Sequence, residues 1–137
     1  MRSITVPAQT EELERVQSFV DEELEAQDCP MRAQFQIDVA VEEIFVNISS
    51  YAYRPEVGDA EIRVDVAEDP LRVIISFLDH GKPFDPLAKE DADTSVEAIC
   101  GRVGGLGILM VKKSMDAVRY SYEDGKNILT IEKNLSE

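Results

Sequence analysis

Glu43 and Asn47 stand four residues apart in the stretch Val-Glu-Glu-Ile-Phe-Val-Asn-Ile-Ser-Ser-Tyr-Ala-Tyr, residues 41 to 53. On a helix that spacing puts them one turn apart on the same face. A carboxylate can act as a general base, and an amide oxygen beside it can hold a hard cation. The same two groups also serve as backbone partners or loop caps, so the pair alone does not decide. A second candidate is Asp79, two residues before Gly81 in Asp-His-Gly-Lys-Pro-Phe-Asp-Pro. An acceptor at a strand end, followed by a residue without Cβ, suits a site where backbone and ligand approach closely. The third is Gly104-Gly105-Leu106-Gly107-Ile108. A Gly-rich loop entering a helix presents backbone N–H groups and a positive dipole end to an anion, although a hinge would use the same residues.

These groups need elements to hold them. At roughly 100° per residue, Ile37, Val41, Ile44 and Ile48 form one apolar stripe of a helix beginning near Met31, while Asp38, Glu42 and Ser49 fall on an expected solvent face. Glu43 and Asn47 fall on neither, flanked by Val39, Ala40 and Val46. Left unpartnered there they would cost about 1 to 3 kcal/mol each, so something polar must answer them. An earlier helix runs from Thr10, a candidate N-cap, through Leu13, Val16, Phe19, Val20 and Leu24 to about Gln27, and Asp28-Cys29-Pro30 breaks it. Arg2 to Val6 reads as a short edge strand ended by Pro7. Alternation at Ile62, Val64 and Val66 gives a half-buried strand, and Glu68-Asp69-Pro70 turns it into a second, Leu71 to Leu78, which delivers Asp79. The acidic segment from Leu87 to Val103 reads as a mobile loop. A helix then runs from the glycines to about Met115, and Ala117 to Tyr122 and Asn127 to Lys133 form a hairpin around Glu123-Asp124-Gly125-Lys126.

Composition narrows the function. With 137 residues, 44% of them hydrophobic, the chain fits one domain with a proper core. A net charge of −14 argues against nucleic acid or an anionic membrane as the main partner and favours basic or mixed protein surfaces. No apolar run approaches the ~18 residues of a membrane span, and no signal-peptide pattern opens the chain, so a cytoplasmic location is expected. Cys29 and Cys100 have no metal or redox spacing and read as free thiols. His80 is the only histidine, which removes sites that need several.

Taken together, the three stretches resemble the GHKL ATPase superfamily, and within it most closely the bacterial anti-sigma factor serine/threonine kinases. Glu43-x-x-x-Asn47 looks like the family's N box, Asp79-x-Gly81-x-Pro83-Phe84-Asp85-Pro86 like its G1 box, and Gly104-Gly105-Leu106-Gly107-Ile108 like its G2 box. The resemblance covers nearly the whole chain. It implies a two-layer α/β (α+β) sandwich: a mixed, mostly antiparallel sheet of about five strands with helices on one face, residues 1–137 forming one ATP-binding domain with a lid at about 87–103. It implies ATP and Mg²⁺, with Glu43 as general base and Asn47 as the Mg²⁺ ligand. Asp79 would read the adenine amine, with Gly81 and Phe84 beside it, and Arg102, Gly104, Gly105, Leu106 and Gly107 would hold the phosphates. It further implies phosphorylation of an anti-anti-sigma (STAS) protein, binding of a sigma factor or similar regulator, and a possible homodimer through residues 1 to 27. Two other activities fit the same motifs: a nucleotide-gated binding switch without phosphotransfer, and an ATPase acting on water. The family often has His four residues after the N-box Asn, where this chain has Tyr51.

Overall fold

The structure, a computed structural model, describes residues 1–52, 58–83 and 105–135. Five strands form one sheet in the order β1-β2-β3-β5-β4: β1 (Arg2–Pro7), β2 (Asp59–Ala67), β3 (Arg72–Asp79), β4 (Ala117–Glu123) and β5 (Lys126–Asn134). All of the described pairings are antiparallel. Among the described residues three α-helices accompany it: α1 (Leu13–Ala26), α2 (Met31–Asn47) and α3 (Gly105–Ser114). The lid expected at 87–103 lies outside the described residues.

The period of two sorts each strand into a helix-covered face and an open one. Ala60, Ile62 and Val64 of β2, Val73, Ile75 and Phe77 of β3, and Leu129 and Ile131 of β5 are buried. They align across the sheet, Val64 opposite Ile75 and Ile75 opposite Ile131. Against this row α2 lays Ile37, Ala40, Val41, Ile44, Phe45 and Ile48, and α1 lays Val16, Val20 and Leu24. Phe45 and Phe77 are fully buried, and truncating either to Ala would cost on the order of 3 to 5 kcal/mol.

The connections follow from local chemistry. After Gln27, Asp28 turns to φ 52°, the Cys29 N–H bonds to the Leu24 carbonyl at 3.0 Å and the Asp28 N–H to that of Glu25 at 3.1 Å. This is a Schellman stop, and Pro30 then opens α2 without a side-chain cap. Asp124 and Gly125, at φ 53° and 76°, supply the two positive dihedrals of the β4–β5 turn. The C-terminus of α3 is capped by Lys133, whose Nζ donates to the Ser114 carbonyl at 2.7 Å.

Two local expectations change. Thr10 does not cap α1: a 3-10 turn over Thr10–Glu12 precedes it, with no side-chain cap at either entry. Nor is Asp38 on a solvent face. It is half-buried against α1, where Asp38 Oδ1 and Asp21 Oδ1 are buried and no donor among the described residues reaches them. The Asp21 charge lies close enough to disfavour a second charge on Asp38, so the pair favours keeping a proton. Burial first, then the neighbouring Asp21 carboxyl, push the Asp38 carboxyl up to about 7. The neighbouring Cys29 thiol is pushed up by burial and then by the charges of Asp38 and Asp21.

In the unfolded chain Asp38 releases its proton near the ordinary carboxylate range, about 4, whereas the folded chain holds it to about pH 7. The stability that this proton contributes is full below about pH 4 and is lost as pH rises through 7. Melting temperature should therefore fall between pH 5 and pH 8. Asp38→Asn, which keeps a donor without a charge, should flatten that slope and melt above wild type at pH 8; an unchanged slope would rule the pair out as its source.

Candidate functional site

The helix that the core fixes most firmly also carries the first two candidates. Glu43 and Asn47 are both half-buried on α2, and among the described residues no hydrogen bond of the fold answers either side chain. Burial first, then the adjacent charge of Glu42, raise the Glu43 carboxyl above its ordinary value. That shift moves a carboxylate toward the range in which a general base works best. Directly after Asn47 the helix widens into a π turn over Ile48–Ala52, a local irregularity that tends to occur at functional sites. There Ser49 Oγ donates to the Phe45 carbonyl at 2.9 Å, drawing on the acceptor that a regular ladder would use.

The second candidate lies at the end of the central strand. Asp79 is in phase with Val73, Ile75 and Phe77, so it continues the apolar row on the helix-covered face. It is only 5% exposed. Its Oδ1 accepts from the Gly81 N–H at 2.9 Å and from Asn127 Nδ2 at 3.0 Å, and among the described residues no donor reaches Oδ2. Asn127 stands directly opposite Asp79 on β5, is 7% exposed, and also donates to the Lys82 carbonyl at 2.9 Å. Tyr120 of β4 donates its hydroxyl to Asn127 Oδ1. His80 is exposed, as its place in the loop implies.

Gly105, Leu106 and Gly107 form the first turn of α3, which packs against α2. Phe84, Arg102 and Gly104 lie outside the described residues. The structure thus joins Asp79 with Gly81 and sets the glycine-led helix against the helix of Glu43 and Asn47. Asn127 and Tyr120 were absent from the sequence candidates. An Asn opening a strand has no periodic signature, and only the β3–β5 register brings it to Asp79 across 48 positions.

The Asn47 oxygen, unpartnered among the described residues, fits Mg²⁺, which keeps most of its shell for water and phosphate oxygens and takes few protein ligands. Among the described residues no three His, Cys, Asp or Glu side chains are placed to hold a metal.

An antiparallel sheet covered by helices on one face, an acid and an amide on the covering helix and a buried acceptor at a strand end describe an α/β sandwich of the ATPase class. The chain belongs to the histidine kinase-like ATPase domain family, which its residues 6–133 match. Serine-protein kinase RsbW of Listeria monocytogenes serovar 1/2a is 31% identical over 99 residues, covering 68% of this chain and 61% of that protein. RsbW of Bacillus cereus is 27% identical over 97 residues, 66% of this chain and 58% of the relative. The chain therefore spans about three-fifths of the length of these curated relatives. Among solved structures, Acinetobacter baumannii histidine kinase AdeS shares the fold at a TM-score of 0.53 and 15% identity, over 100% of this chain and 70% of that one. Among the described residues no helix is long and apolar enough to cross a membrane.

Replacing the Asp79 acceptor tests directly whether it meets a nucleotide. Asp79→Asn should weaken ADP binding by roughly 10- to 100-fold, the range for a hydrogen bond to a charged group. Isothermal calorimetry at neutral pH measures it, and a change below twofold would remove Asp79 from the contact surface.

Proposed function

We propose that this chain is an ATP-dependent serine/threonine protein kinase of the anti-sigma type, acting in the cytoplasm on a STAS-domain anti-anti-sigma partner and binding a sigma factor or similar regulator. The observation that carries this reading is Glu43: a half-buried carboxylate with raised proton affinity, one helical turn from Asn47 and unpartnered among the described residues, in a chain of the histidine kinase-like ATPase domain family. The names of the relatives, serine-protein kinase, point the same way.

In this reading residues 1–137 work as one ATP-binding domain with a lid at about 87–103. The partner's hydroxyl oxygen attacks the γ-phosphorus of ATP, ADP leaves, and Glu43 accepts the hydroxyl proton. Asn47 would hold Mg²⁺ through its side-chain oxygen, and the ion when bound would neutralise phosphate charge. Asp79 accepts from the adenine amine, with Gly81 and Phe84 along the base. Gly104, Gly105, Leu106 and Gly107 offer backbone N–H groups to the phosphates at the start of α3, and Arg102 adds positive charge in an acidic protein. The partner must supply the hydroxyl, so transfer needs a second protein, and the −14 charge favours one with a basic or mixed docking surface.

Glu43→Gln keeps size and hydrogen bonding while removing the base. It should lower phosphotransfer by about 100- to 10,000-fold with ADP affinity within about twofold of wild type. The assay follows labelled γ-phosphate from Mg-ATP into the proteins of an extract of the source cell. One small labelled protein seen with wild type alone supports the kinase and names its substrate. ATP-dependent partner binding with no phosphoprotein would replace it with a nucleotide-gated switch, and ATP turnover without any partner with an ATPase.

A further inference from the structure

The contacts of Asn127 do more than pack a strand end. Its amide nitrogen donates to Asp79 Oδ1 at 3.0 Å and to the Lys82 carbonyl at 2.9 Å, with the Gly81 carbonyl at 3.4 Å. Its oxygen receives the Tyr120 hydroxyl. Swapping the amide oxygen and nitrogen would turn the oxygen toward three acceptors, so the network fixes one orientation. Tyr120 sits opposite Leu129, two positions from Asn127, the diagonal reach of a long side chain across paired strands. The polar set spans β3, β4, β5 and the loop after β3, and its two central members are almost fully buried.

We propose that Asn127 is the positioning residue that gives the base-binding end its purine selectivity: held by Tyr120, it commits Asp79 Oδ1 and ties the 81–82 backbone to β5, leaving Oδ2 as the acceptor offered to a ligand. A purine with an exocyclic amine meets that acceptor with a donor. One with a carbonyl there meets it with a second acceptor, a buried mismatch of the kind that discriminates strongly. Without the clamp the carboxylate can rotate and the loop can part from the strand, and the preference weakens with affinity. This inference rests on the adenine-nucleotide reading of the site.

The test uses the full chain, ADP and GDP as probes, and calorimetry from pH 5.5 to pH 8, with thermal unfolding to confirm that each variant is folded. Asn127→Leu should bind ADP at least tenfold more weakly than wild type at every pH, with a reduced ADP-to-GDP preference. Asn127→Asp sets a carboxylate beside Asp79 and within reach of Tyr120. It should be at least tenfold weaker at pH 8 and recover toward wild type by pH 5.5, as the introduced carboxyl takes up a proton and again donates to Asp79. Should Asn127→Leu fail to fold, the pH series of Asn127→Asp decides alone. Wild-type affinity in either folded variant, or a loss in Asn127→Asp that is the same at every pH, overturns the proposal while leaving nucleotide binding intact. Failure of wild type itself to bind ADP overturns the adenine reading and this inference with it.

Discussion

Burial of α2 against the middle of the sheet is the constraint on which the rest of the structure depends. Its apolar stripe from Ile37 to Ile48 is committed to Ile75, Phe77 and their neighbours, and that commitment fixes the rotation of the helix about its own axis. Once the rotation is fixed, the edge of the stripe is fixed too. Glu43 and Asn47 sit on that edge, neither in the core nor on the outer surface, in surroundings dry enough to raise a carboxylate's proton affinity. Rotating the helix by one residue position would bring Glu42 into that place and drive an apolar side chain into water, at about 1.5 to 3 kcal/mol per large residue.

The sheet works by the same logic in its other direction. Its covered face is apolar until the last position of β3, where Asp79 replaces the hydrophobe that the period of two would place there. A buried acid is tolerable only where donors meet it, and the Gly81 N–H and Asn127 amide do so. The core thus ends in polar groups at one rim of the sandwich.

Periodicity made the helices and strands legible, because burial against a single layer imposes 3.6 on Ile37, Val41 and Ile44 and 2 on Ile62 and Val64. The turn at Asp124-Gly125 was legible from residue type, since both positions adopt positive φ. Asp38 was misplaced for an instructive reason. A helical wheel assigns charged residues to water, but α2 packs on α1 as well as on the sheet, so its dry face is wider than one stripe, and the proton kept beside Asp21 has no signature in sequence. Thr10 was misplaced because its chemistry allows a cap while the chain enters α1 through a tighter turn. The likeness of three motifs indicated Glu43, Asn47 and Asp79 as candidates. Asn127 needed the strand order, which local pattern does not contain.

That strand order has a consequence for how the molecule comes to be made. The β2–β3 and β4–β5 pairs are neighbours in sequence and close their ladders over short loops, whereas β3 meets β5 only after the chain has crossed α3 and doubled back. Contacts between distant positions carry a larger loop-closure cost and tend to form late. The Asp79–Asn127 bond belongs to this late group, so the polar rim of the sandwich is completed when the two hairpins dock. A half-assembled chain can hold either hairpin and still lack this bond, which makes its formation a report on completed assembly.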